Sequence, residues 1–90
     1  MKRFHITISG RVQGVAFRHE TRKAALSLHL TGWVKNLVDG RVEAVFEGNE
    51  DAVDAMLDWC GKGPPLAQVL RVDVHEESFK GDFSDFRIRY

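Results

Sequence analysis

The nine residues GRVQGVAFR, Gly10–Arg18, combine two glycines, two arginines, one glutamine and four apolar residues. They follow an alternating strand pattern and precede a helical one. A glycine-bearing loop that runs into a helix N-terminus presents backbone N–H groups and is a ready anion site. Gly14 permits tight curvature and a close backbone approach that a Cβ would resist. Arg18 adds a planar charged fork matched to phosphate oxygens. The chemistry these parts suit is the holding of a phosphoryl or carboxylate group. The stretch is not a Walker loop, because it lacks the Gly-Lys-Ser/Thr ending, and it does not match G-x-G-x-x-G.

Spacing alone fits Arg18 equally well as a solvated arginine on the first turn of a helix. Arg11 reads as a strand-end surface charge and Phe17 as a core residue that seats the loop. Gln13 reads either as a ligand contact or as the source of a loop-stabilising hydrogen bond. The other reactive side chains have quieter readings. His5, His29 and His75 have no metal-ligand spacing with one another or with Cys60, and His19 reads as a surface residue beside Arg18. Cys60 falls on an apolar helix stripe, the usual place of a core thiol. Trp33 and Trp59 read as packing residues.

The elements that must position this loop follow from periodicity. In Arg3–Ser9, Phe4, Ile6 and Ile8 share one face of a strand. From about Glu20 to His29 the period becomes helical, with Thr21, Ala24, Ala25 and Leu28 on one stripe, and Gly32 follows the expected helix end. Trp33–Leu37 is a second strand. Val38–Gly40 carries the Asp-Gly pair of a hairpin turn, and Val42, Ala44 and Phe46 form the inner face of a third strand. Asn49 is placed to cap a second helix with buried stripe Val53, Met56, Leu57 and Cys60, stopped by Gly61 and two prolines. Val69–His75 is a fourth strand with Val72 and Val74 facing in, and a parity break near Leu70 predicts a bulge or a late start. Phe86, Ile88 and Tyr90 alternate as a short fifth strand whose place in the sheet alternation leaves open.

This order predicts an α+β, ferredoxin-like split β-α-β arrangement: a mostly antiparallel sheet with two helices on one face. In that topology strands 1 and 2 run parallel with strand 3 between them, so their C-terminal ends open on one sheet edge, about 10 Å apart. Gly10–Arg18 leaves one end, and Lys35 and Asn36 occupy the other. A small ligand fits between them. Before any other information, Asn36 reads more readily as a strand-end residue bonded to the hairpin backbone, and Lys35 as a solvated charge pointing away from the face of Asn36.

The whole chain narrows the function classes. Ninety residues predict one domain, residues 1–90, with room for one core. Thirteen basic and thirteen acidic residues balance, unlike the basic excess of a bulk nucleic-acid binder. One cysteine cannot form an intramolecular disulfide; with no secretory or membrane-spanning pattern, a cytoplasmic setting is expected.

Two long segments make a resemblance specific. GRVQGVAFR resembles the loop signature of the acylphosphatases. GWVKNLVDGRVEAVFEG, Gly32–Gly48, resembles their second signature: Gly-aromatic-Val-Lys-Asn, three residues, Gly-x-Val, five residues and Gly. GPPLAQV and the ending FRIRY are also similar, so the likeness spans essentially the whole chain. Ala16 stands at the loop position where the family accepts several residue types. The resemblance implies hydrolysis of acyl phosphates to a carboxylate and inorganic phosphate. It implies that Arg18 binds the phosphoryl group and Asn36 places the attacking water, which reverses the bland reading of Asn36. Backbone amides of Gln13, Gly14, Val15, Ala16, Phe17 and Arg18 would complete the cradle.

The chemistry agrees with what the chain lacks. A carboxylate, with a conjugate acid of pKa about 4.3, leaves without prior protonation. Phosphoryl transfer through a loose transition state asks mainly for positioning and charge stabilisation. No catalytic dyad, metal or cofactor is therefore expected, only a small-molecule acyl phosphate and its phosphate product, handled by a monomer. Two other classes compete. A non-catalytic phosphate or carbamoyl-phosphate binding module, like similar domains in larger maturation enzymes, is disfavoured by stand-alone length and by the presence of both Arg18 and Asn36. A ferredoxin-like RNA-binding module is disfavoured because strand 3 offers Glu43, Val45 and Glu47 opposite its core face.

Overall fold

A computed structural model describes all residues, Met1–Tyr90. The elements in chain order are β1 (Lys2–Arg11), α1 (Phe17–Ser27), β2 (Thr31–Asn36), β3 (Val42–Gly48), α2 (Glu50–Lys62), β4 (Gln68–Glu77) and β5 (Phe86–Arg89). The strands form one sheet in the order β4-β1-β3-β2-β5. All neighbours are antiparallel except β2 and β5, which are parallel. This is the ferredoxin-like α+β arrangement expected from the element order, and it places β5 at the edge beside β2.

Period-two alternation decides which face is buried. Phe4, Ile6 and Ile8 of β1, Val34 of β2, and Val42, Ala44 and Phe46 of β3 pack with Phe17 and Ala25 of α1 and with Val53, Met56 and Cys60 of α2. Both helices thus cover one face. α1 packs against β2 and β5, and α2 against β4 and β1. Each large side chain enclosed there contributes about 1.5–3 kcal/mol relative to exposure. No helix is long and apolar enough to cross a membrane.

Several boundaries differ from the sequence expectation, each for a local reason. α1 begins at Phe17 rather than near Glu20, because the chain turns into it at Ala16, a left-handed residue (φ 60°) with no side-chain cap. Its end is made by Leu28 and by His29 (φ 58°), and Gly32 belongs to β2 instead. Asn49 occupies the N-cap position of α2, yet its side chain makes no capping bond. α2 continues through Gly61 to Lys62 and stops at Gly63, and Leu57 is only half-buried on its stripe. β2 closes at Asn36, one residue before the expected end.

The parity break near Leu70 is a bulge: Ser9 pairs with Arg71 and Gly10 with Val69, leaving Leu70 without a partner. Gly10 has φ +127° there, and a Cβ would be driven into the Gln68 carbonyl oxygen. β1 consequently runs to Arg11, and the free loop shortens to Val12–Ala16. Val72 is half-buried as expected, but Val74 is 44% exposed. β4 is an edge strand, so Val74 lacks cover on one side.

The opposite face carries an ionic network. Arg3 donates to Glu47 (3.1 Å) and Glu77 (2.7 Å). His5 lies between Glu43 (2.6 Å) and Glu77 (3.2 Å), and Lys35 approaches Glu43 at 3.5 Å. The segment before β5 crosses over this face, where the N–H groups of Lys80 and Gly81 donate to the Glu47 carboxylate. Glu47 is therefore buried although it lies on the sheet face away from the helices.

Candidate active site

The register puts Ile8 of β1 level with Asn36, the last residue of β2. Both pair with Val42 of β3, so the two positions stand about 10 Å apart across one intervening strand, and β1 runs three residues further to Arg11 before the loop begins. β5 runs parallel to β2, with Lys35 opposite Arg89, so its C-terminal end opens at the same edge. Three strand ends and the N-terminus of α1 thus converge there.

The loop Val12–Ala16 is tied down from beneath. Val12 and Val15 are buried, and Phe17 is enclosed in the core against Trp59, with ring centroids 5.7 Å apart. Between these anchors the backbone turns left-handed twice, at Gly14 (φ 73°) and Ala16 (φ 60°). A left-handed alanine costs about 1–2 kcal/mol, the kind of strain that collects at functional sites. No backbone N–H from Gln13 to Ala16 donates to another protein group, and α1 begins its own ladder with Glu20 N–H to Ala16 O at 3.0 Å. The first N–H groups of α1 have no acceptor within the helix. The result is a concave run of unengaged donors at the positive end of a helix dipole.

A cavity of about 250 Å³ lies over this run, and Gln13, Gly14, Ala16, Phe17, Arg18 and Asn36 all line it. Val15 is the one expected cradle residue outside the lining; its side chain is buried in the core. Arg18 has no carboxylate partner, and its guanidinium rests over the Tyr90 ring at 5.0 Å. Asn36 shares its strand face with Val34, the side on which α1 packs, while Lys35 points to the other face and meets Glu43, as alternation required. Asn36 Oδ1 is buried, and no protein group donates to it. Leaving such an acceptor unpaired costs about 1–3 kcal/mol, and the residue that carries it lines the cavity.

The hairpin-bonding role that competed for Asn36 is filled by Gln13. Its carboxamide Nε2 donates to Leu37 O (2.8 Å) and Arg41 O (3.0 Å). Of the two readings open for the Gln13 side chain, the stabilising hydrogen bond is the one present.

Ile88 and Tyr90 also line the cavity and were missed as site residues. Their alternation with Phe86 marked a shared face, but the place of β5 was open. His19 lines the cavity as well, with an exposed side chain. Cys60 is fully enclosed, and burial pushes its thiol well above the ordinary range, which suits a core residue and not a nucleophile. No group of three or more His, Cys, Asp or Glu side chains is arranged to hold a metal ion.

Fold and site together define a ferredoxin-like α+β protein with a cavity lined by unengaged backbone donors at the edge where its parallel strand ends open. The family model for acylphosphatase matches residues 4–88. The acylphosphatase of Syntrophus aciditrophicus is 58% identical over 90 residues, covering 100% of this chain and 94% of that protein. The crystal structure of the Bacillus subtilis acylphosphatase superimposes with a TM-score of 0.96 at 38% identity, covering 100% of both chains. Full-length HypF, solved in a phosphate- and nucleotide-bound form, contains a similar region (TM-score 0.86, 26% identity) covering 99% of this chain but 12% of HypF. The chain belongs to the acylphosphatase family, and its reaction is the hydrolysis of acyl phosphates to a carboxylate and inorganic phosphate.

Proposed function

We propose that Arg18 and the backbone amides of Gln13–Arg18 hold the phosphoryl group while Asn36 orients the attacking water. The guanidinium and the N–H groups answer the charge on the phosphoryl oxygens, which is the main work in a loose transition state. The water oxygen forms the new bond to phosphorus as the bond from phosphorus to the acyl oxygen breaks, and the electron pair of that bond leaves on the carboxylate. A carboxylate leaves unprotonated near neutral pH, so no general acid is required. Asn36 offers an acceptor and a donor but is no useful base. The proton of the water passes to a phosphate oxygen of the substrate or is lost after the bond to phosphorus has formed.

The observation that carries this reading is the shared cavity. Arg18, at the start of α1, and Asn36, at the end of β2, line one space, and the buried Oδ1 of Asn36 has no protein donor. The reaction as proposed needs no metal or cofactor. Phosphate release from benzoyl phosphate in the presence of chelator tests it. Turnover unaffected by chelator is expected. Turnover lost in chelator would overturn metal independence, and phosphate binding without turnover would point to a binding module instead.

The same reading takes residues 1–90 as one catalytic domain acting as a monomer in the cytoplasm, without a nucleic-acid or membrane partner. Balanced charge supports the absence of a nucleic-acid partner, and a free buried cysteine suits a reducing compartment.

A further inference from the structure

The phosphate cradle and Asn36 belong to parts of the chain that do not touch through the sheet. β1 leads into the loop, β2 ends at Asn36, and β3 separates them. Two hydrogen bonds join the loop directly to the turn after Asn36, and both come from the Gln13 carboxamide, at 2.8 Å to Leu37 O and 3.0 Å to Arg41 O.

These two carbonyls form the base of the β2–β3 turn. Leu37 N–H donates to Arg41 O at 2.8 Å, and Gly40 N–H donates to Leu37 O at 3.2 Å. Gln13 thus grips both sides of the turn at its narrowest point, one residue beyond Asn36. The amide orientation is dictated by its partners, since an amide oxygen turned toward two carbonyl oxygens would be repelled. Both N–H groups of the carboxamide have an acceptor in reach.

We propose that Gln13 is a positioning residue whose side chain sets Asn36 at its working distance from the cradle. The inference rests on the roles given above to Arg18 and Asn36. Gln13 acts twice, once through its backbone and once through its side chain. Its N–H belongs to the phosphate cradle, and its carboxamide holds the part of the chain that brings the water. Removal of the carboxamide leaves the cradle in place and frees the turn. A nucleophile displaced by about 1 Å can cost on the order of 10²-fold in rate.

The test is a double-mutant cycle on kcat with benzoyl phosphate, read beside the inhibition constant of inorganic phosphate. Gln13→Ala is expected to lower kcat by about 10- to 100-fold while leaving phosphate inhibition near the parent value. In an Asn36→Ala background the same change is expected to have little effect on kcat, because the group it positions is gone. A Gln13→Ala effect that multiplies in full with that of Asn36→Ala would overturn the proposal, as would an effect on phosphate binding equal to that on kcat. Those outcomes leave the role of Asn36 standing. An Asn36→Ala variant that keeps full turnover would instead sink the underlying assignment.

Gln13→Glu gives a second reading that does not depend on the alanine variant folding. At neutral pH its carboxylate faces two carbonyl oxygens. On protonation, above the ordinary glutamate value of about 4.3 in such surroundings, it regains one of the two bonds. Its kcat relative to the parent enzyme should rise as pH falls from 7 toward 5. A ratio that stays flat across that range would contradict the clasp.

Discussion

Arg3, on β1, and Arg18, at the start of α1, occupy opposite regions of the molecule. Arg3 lies on the face away from the helices, bonded to Glu47 and Glu77 and seated over the Phe83 ring at 5.2 Å. Arg18 stands at the edge where the strand ends open, with no carboxylate in reach and the Tyr90 ring at 5.0 Å. The contrast extends to their neighbours. Around Arg3, the buried carboxylate of Glu47 receives Arg3 and two backbone N–H groups, and His5, Glu43 and Lys35 continue the pairing across the strands. Around Arg18, a run of backbone N–H groups is unengaged and the Oδ1 of Asn36 has no donor. Buried polar groups in folded proteins are nearly always satisfied from within. The first region therefore completes itself and serves the fold. The second leaves donors and an acceptor unpaired, as the proposed binding of substrate there requires, and its local cost in stability is the kind that functional sites carry.

Substitutions in the two regions should fail in different ways. The largest effect is expected from Arg18→Ala. It should lower kcat/KM toward benzoyl phosphate by about 10³–10⁵ and weaken inhibition by inorganic phosphate. Its thermal stability should hardly move, because the contact is with the exposed Tyr90 ring and a cation–π contact of that kind contributes only about 0.5–1 kcal/mol. A large loss of stability with retained turnover would merge the two regions and remove the distinction.

Glu47→Ala should behave in the reverse sense. It leaves Arg3 and two backbone donors without their shared acceptor, a change that costs about 3 kcal/mol. Urea unfolding should register that loss, while kcat measured well below the unfolding midpoint stays at the parent value. A fall in kcat without a fall in stability would show that the ionic face reaches the site.

The smallest expected effect concerns acid. Arg3, and then His5, hold the Glu77 carboxyl below its ordinary value of 4.5. A carboxyl depressed in the folded state stabilises the protein above its unfolded pKa. That stabilisation disappears as pH falls through the folded value. The urea midpoint of the parent protein should therefore drop below about pH 4.5, and Glu77→Gln should flatten that drop. Glu77 is partly open to solvent, so screening keeps the effect modest. An identical acid profile in both proteins would remove Glu77 from the network.

Much of this division is legible in the sequence, and the rest depends on contacts that local spacing cannot carry. Alternation in β1 and β3 and the stripe of Val53, Met56 and Cys60 give the element order, and the order brings Arg18 and Asn36 to one edge. The start of α1 is harder to read because a left-handed Ala16 begins it, and no residue type announces that conformation. The exposure of Val74 follows from the position of β4 at the sheet edge, which alternation does not state. Glu47 reads as an ordinary outward glutamate. Its burial depends on the path of the chain at Lys80 and Gly81, more than thirty residues away. Gln13 is the instructive case at the site: its two carboxamide bonds span 24 and 28 residues, so its type admits a structural bond and only the fold says to what.

The division of labour within the site is tested most directly on Asn36→Ala, by comparing kcat for benzoyl phosphate with the dissociation constant of inorganic phosphate. Loss of one positioned group in the transition state should lower kcat by about 10²–10³, with phosphate bound as tightly as by the parent enzyme. Weakened phosphate binding with kcat intact would contradict the account, because Asn36 would then belong to the cradle and not to the water.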